Sequence, residues 1–128
     1  MIPEIVTEFI AKHIHSMDVL EILLFLRKES RKGWTAIAVS KELMLERSSV
    51  QARLEYLLSE GLLNVEALDG ERLYRFRTAN KELNEAADEL ARWYRSHRVS
   101  IISLVFSHPS EQVWTYLDNH PDRHKADK

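Results

Sequence analysis

Apolar residues along most of this chain recur at intervals of three and four, the spacing that gathers side chains on one face of a helix. Ile2, Ile5, Val6, Phe9 and Ile10 follow the rule, and Pro3 suits a first helical turn, so an amphipathic helix is predicted from Pro3 to about Ile14. Ser16 is placed to cap a second helix, "MDVLEILLFLRKE", with Val19, Leu20, Leu23, Leu24 and Leu26 facing inward and a basic turn ending at Gly33. Its wide apolar face marks a central core helix. Thr35 can cap a short helix from Ala36 to about Leu43, and "MLER" then supplies a tight turn into "ERSSVQARLEYLLSEGLL". Within that stretch Val50, Leu54, Leu57 and Leu58 share one helix face.

Gly61 stands at the expected helix end, after which the periodicity changes. "LLNVEAL" and "RLYRFR" are short strand-like runs separated by "DGE", and Asp-Gly between two such runs signals a hairpin. The helical pattern then returns in "TANKELNEAADELARWYRSHRVSIISLVFS", with a Thr or Asn cap and Leu83, Ala86, Ala87, Leu90, Trp93 and Tyr94 at helical spacing. The run "VSIISLVF" has strand-like composition, yet Ser96, Ser100, Ser103 and Ser107 are spaced four, three and four apart. That gathers the serines on one helical stripe, so one long helix is predicted to about Ser107, stopped by Pro109, with a short helix from Ser110 to about Leu117 and a polar tail at 120–128.

Composition agrees with a mainly α chain carrying one small β-hairpin. The 128 residues include only 3 Gly and 3 Pro, with 45% hydrophobic and 30% charged residues. That suffices for a single domain, divided as an N-terminal helix (1–15), a core (16–78), C-terminal helices (79–119) and the tail. The absence of cysteine rules out disulfides and thiolate metal sites. The opening "MIPEIVTEFIAK" lacks a basic leader region, and "VSIISLVF" is far shorter than the roughly 20 residues of a membrane span, so a cytoplasmic protein is expected.

The order helix, helix, tight turn, helix, hairpin resembles the winged helix-turn-helix family over roughly Asp18 to Arg77. Val39, Ser40 and Leu43 match the second helix of its helix-turn-helix, Leu45 the apolar turn residue, Val50, Leu54 and Leu57 the inward face of the recognition helix, and "EGLL" the exit into the wing. Glu46 occupies the position where the family commonly has a Ser or Thr cap. Ser48 is an alternative cap, which leaves the start of the recognition helix open.

The formal charge of -2 gives no global pull toward a polyanion, but the charge is uneven. From Arg27 to Arg53 seven basic residues face three acids, a local excess of four positive charges, whereas Leu54 to Glu71 holds five acids and no base. Arg47, Ser48, Ser49, Gln51, Ala52 and Arg53 on a recognition helix at about 47–60, with Arg72 on a wing at 64–77, supply groups suited to phosphates and major-groove base edges. Arg75 and Arg77 alternate with Tyr74 and Phe76, as on the solvated face of a half-buried strand. A DNA-binding transcriptional regulator is therefore expected; the alternative is a winged-helix protein-interaction module that does not bind DNA.

The flanking helices give the chain a layout similar to the MarR-type regulators. The resemblance implies a homodimer whose interface is built from both chain ends, with Ile5, Phe9, Val99, Ile102, Val105 and Phe106 as candidates, and winged domains facing double-stranded DNA. It also implies space for a small-molecule effector between the dimer and DNA layers, for which Trp34, Trp93, Tyr94 and Trp114 are the available aromatics; nothing in their spacing favours a ligand over core packing. "RWYRSHR" reads as a helix covering the core with arginine stems. His120 and His124 have metal-compatible spacing but flank Pro121, and His13 and His15 diverge on a helix, so no metal or cofactor is expected. No phosphate loop, nucleophile elbow or metal cluster is recognisable, which argues against an enzyme.

Overall fold

The computed structural model describes residues 1–107. The short helix expected at 110–117 and the tail, with Trp114, His120 and His124, lie outside the described residues. The elements are α1 (Glu4–His13), α2 (Met17–Lys28), α3 (Ala36–Leu43), α4 (Arg47–Ser59), β1 (Leu63–Leu68), β2 (Glu71–Phe76), α5 (Lys81–Ser96) and α6 (Arg98–Ser107).

Local chemistry sets most of these boundaries. Pro3 is the N-cap of α1. Ser16 Oγ accepts from the Val19 N–H at 3.2 Å, Thr35 Oγ1 from Ala38 at 3.1 Å, and Asn80 Oδ1 from Leu83 at 2.9 Å, each satisfying an N–H that a helix start leaves without a partner. At the other end of α4, Gly61 adopts φ +79°, and the N–H groups of Gly61 and Leu62 donate to the carbonyls of Leu58 and Leu57. This paired closure needs a left-handed residue, which is why glycine stands there. The hairpin turns on Asp69 and Gly70, both at positive φ, so the primed turn matches the twist of the strands.

β1 and β2 pair antiparallel from Leu63 opposite Phe76 to Leu68 opposite Glu71. Trp34 adds a single bridge to Tyr74, exchanging backbone hydrogen bonds of 2.7 and 2.8 Å. α2, α3 and α4 pack on one another and against the hairpin, while α1 lies against α5 and α6. One apolar cluster joins both groups, running from Ile10, Ile14 and Ile101 through Leu20, Leu23 and Leu26 to Leu54, Leu57 and Tyr74. A large aliphatic side chain fully buried there contributes about 1.5–3 kcal/mol.

Two expectations need correction. Leu24 is only half-buried, and Ile22 takes its place inside, because the buried face of α2 centres on Val19, Ile22, Leu23 and Leu26. The long C-terminal helix is in fact two. His97 leaves helical geometry at φ -136° and ψ 54°; its N–H closes α5 on the Trp93 carbonyl at 2.7 Å, and its carbonyl accepts from Ile101 as α6 begins. The break buries Ile101 and Val105 beside α1 and α5, which is its energetic reason. Ser100, Ser103 and Ser107 stay on an exposed stripe of α6.

Candidate nucleic-acid interface

α4 begins at Arg47 because Glu46 caps it. The Glu46 carboxylate accepts the Ser49 N–H at 2.9 Å and the Ser48 hydroxyl at 2.6 Å. The Ser48 hydroxyl foremost, then backbone N–H groups, hold the Glu46 carboxyl below the usual carboxylate range. A carboxylate here also suits the positive end of the helix dipole. The open register is thereby settled, and Ser48, its proton donated to Glu46, offers lone pairs outward.

Val50, Leu54 and Leu57 face the core, and the opposite side of α4 exposes Arg47, Ser48, Gln51 and Ala52. Ser49 and Arg53 are half-buried at its margin, and Arg53 Nε is buried with no hydrogen-bond partner among the described residues. Arg72 is brought to the same surface from the wing. Its Nη2 contacts the Glu55 carboxylate at 2.8 Å, its Nε donates to the Tyr74 hydroxyl at 3.1 Å, and its guanidinium lies 5.5 Å from the Tyr74 ring centroid. Five of the seven expected DNA-facing residues are thus exposed in one neighbourhood, with Ser49 and Arg53 at its edge.

Sequence reasoning missed the junction that joins helix to wing. The Tyr74 ring is buried, while its hydroxyl donates to Glu55 and accepts from Gln51 Nε2 at 2.8 Å as well as from Arg72. Gln51 Nε2 also reaches Glu55 at 3.4 Å. The hydrogen bond from Tyr74 is the main reason the Glu55 carboxyl sits below its ordinary range, with Arg72 adding to it. The available signal was that Gln51 and Glu55 lie one helical turn apart, and that a tyrosine on a buried strand face needs a partner for its hydroxyl.

A second tie runs from α4 to the N-terminal helix. His13 Nδ1 is 2.6 Å from Glu60 Oε1, and the Tyr56 hydroxyl donates to the His13 carbonyl at 2.8 Å. Burial, then Glu60, pushes the Tyr56 phenol well above its ordinary value. Arg75 and Arg77 line an open cleft of about 760 Å³ with Arg27, Lys28 and Asp88, between α2, the end of β2 and α5.

The six apolar candidates for a subunit interface divide by burial. Phe9 and Val105 belong to the chain's own core. Val99 and Phe106 are 76% and 70% exposed, Ile5 is exposed and Ile102 half-buried, with Val99, Ile102 and Phe106 on one face of α6. The aromatics considered for an effector sit in separate contacts. Trp34 packs edge-on against Phe25 with Lys32 above it, Trp93 lies against His97, and Tyr94 lies beneath Arg98. Among the described residues no group of three or more His, Asp or Glu could hold a metal, and no helix is long and apolar enough to cross a membrane.

No family model and no curated protein matches the sequence. Among solved structures, the chain is similar to a cysteine-to-serine mutant of MarR from E. coli crystallised with operator DNA. The likeness has a TM-score of 0.51 at 12% identity and covers 90% of this chain and 79% of that one. The fold is therefore a winged helix-turn-helix flanked by N- and C-terminal helices in the MarR-like layout.

Proposed function

We propose that this chain is a cytoplasmic transcriptional regulator that binds double-stranded DNA as a homodimer and has neither a catalytic role nor a cofactor. Residues 16–78 form the DNA-binding core in this reading, and α1, α5 and α6 pair with a second copy. Arg47, Ser48, Ser49, Gln51, Ala52 and Arg53 face the major groove, and Arg72 reaches a flanking phosphate. The observation that carries the proposal is the outward face of α4, where Arg47, Ser48, Gln51 and Ala52 are exposed opposite the buried stripe and a wing arginine adjoins them. The similarity in fold to a protein crystallised with operator DNA supports the same reading. The face of α6 that carries exposed Val99 and Phe106 with half-buried Ile102 supports the dimer, as does exposed Ile5 on α1, since exposed apolar side chains of this kind mark interfaces. Paired recognition helices then meet half-sites about one turn of DNA apart.

Fluorescence anisotropy with a mixed-sequence duplex tests the DNA contact. Replacing Arg47→Ala and Arg53→Ala together is expected to weaken binding by roughly tenfold while the variant still folds and melts cooperatively. Absence of wild-type binding even at low salt contradicts the proposal. Sedimentation at micromolar concentration should give a species about twice the 15.0 kDa chain mass; a clean monomer contradicts the dimer.

A further inference from the structure

The hydrogen bonds around Tyr74 fix which way the Gln51 side chain faces. Tyr74 has one hydroxyl proton, and that proton goes to the Glu55 carboxylate, which can only accept. The lone pairs of the same oxygen must then meet donors. Arg72 Nε supplies one at 3.1 Å and Gln51 Nε2 the other at 2.8 Å. The second hydrogen on Gln51 Nε2 is directed to Glu55 at 3.4 Å. Turning the amide over would set its carbonyl oxygen against the Glu55 carboxylate and a hydroxyl that has no proton left to give. Both donors of Gln51 are therefore engaged within the protein, and the carbonyl oxygen is the polar atom left for a ligand.

We infer that Gln51 is a specificity-determining residue that presents only an acceptor, held so by Tyr74 and Glu55, and that it selects an amino-bearing base, adenine or cytosine, over guanine or thymine. This rests on the DNA-binding reading above. In the major groove adenine and cytosine offer an exocyclic amine, whereas guanine presents N7 and O6 and thymine O4, all acceptors that repel a carbonyl oxygen. A glutamine with both amide groups free makes a paired contact to adenine and selects it alone. Here the donor half of that contact is engaged inside the protein, so the selection widens to two bases. Arg72 gives two of its five N–H groups to the same network and keeps the others for a phosphate.

The test is selection of duplexes from a random pool by the full-length wild type, by Gln51→Ala and by Tyr74→Phe. Gln51 is exposed, so its replacement leaves the core intact and locates the base position it reads. The expected result is one position where the wild type enriches adenine or cytosine about three- to tenfold. Gln51→Ala should level that position, and Tyr74→Phe, which frees the one amide hydrogen that the Tyr74 hydroxyl accepted and so restores the donor a paired adenine contact needs, should drop cytosine and keep adenine. Guanine or thymine at that position, no position altered by Gln51→Ala, or an unchanged adenine and cytosine pair in Tyr74→Phe overturns the inference while leaving DNA binding intact. If the wild type retains no duplex, the DNA-binding reading fails and this inference with it. Should Tyr74→Phe not fold, comparing the wild type with Gln51→Ala still decides between amino-bearing bases and the other two.

Discussion

Replacing Tyr74→Phe isolates the polar junction between α4 and the hairpin, because the buried ring and its packing are retained and only a hydroxyl is lost. That hydroxyl takes part in three hydrogen bonds, two of them with charged groups. A hydrogen bond to a charged group contributes about 1.5–3 kcal/mol net when buried. The Glu55 and Arg72 side chains are 45% and 52% exposed, so water replaces much of what the substitution removes. The expected loss is therefore about 1–2 kcal/mol, well below the sum for three buried contacts. Its pH dependence has a definite sign. The folded Glu55 carboxyl is held below its ordinary value of 4.5, so its stabilisation is present above that value and fades as pH falls through the folded one. Urea denaturation followed by circular dichroism should show the full difference at about pH 7 and a smaller one at about pH 4. An unchanged midpoint at neutral pH, or an equal difference at both values, would refute the reasoning.

Gly61→Ala should destabilise by about 1–2 kcal/mol, because a Cβ must adopt the left-handed conformation and would stand 3.2 Å from the Ala79 Cβ; thermal melting measures it. Met44 holds φ +56° in the helix-turn-helix turn with its side chain 89% exposed, so Met44→Gly should raise stability by up to about 1 kcal/mol, with no gain counting against that strain. Thr35→Ala removes the α3 cap and should cost about 1 kcal/mol in the same assay. Val99→Glu with Phe106→Glu should shift sedimentation toward monomer without lowering the monomer's helical signal, since both side chains are exposed in the single chain.

What could be read along the sequence was what short spacings determine. Thr35, Ser16, Gly61 and the Asp69-Gly70 pair act within a few residues of themselves, and each stands where its chemistry placed it. The inward faces of α1 and α4 followed from periodicity for the same reason. The break at His97 had no Gly or Pro to announce it, and the benefit of breaking lies in distant packing of Ile101 and Val105. The Gln51, Glu55, Arg72 and Tyr74 junction joins residues up to 23 apart, and the His13 to Glu60 tie spans 47, so neither leaves a trace in local pattern. Glu46 lies between these cases. Its position as a cap was visible, but only the structure chose between it and Ser48.

The most direct test of the central claim is the salt dependence of wild-type binding to a duplex. If α4 and the wing contact phosphates, the logarithm of the association constant should fall linearly with the logarithm of salt concentration, with a slope of about -0.9 for each phosphate neutralised. A slope of roughly -2 or steeper for two subunits on one duplex, flattened by about one unit per subunit in Arg72→Ala, is the predicted result. No measurable association at low salt, or association indifferent to salt, would contradict it.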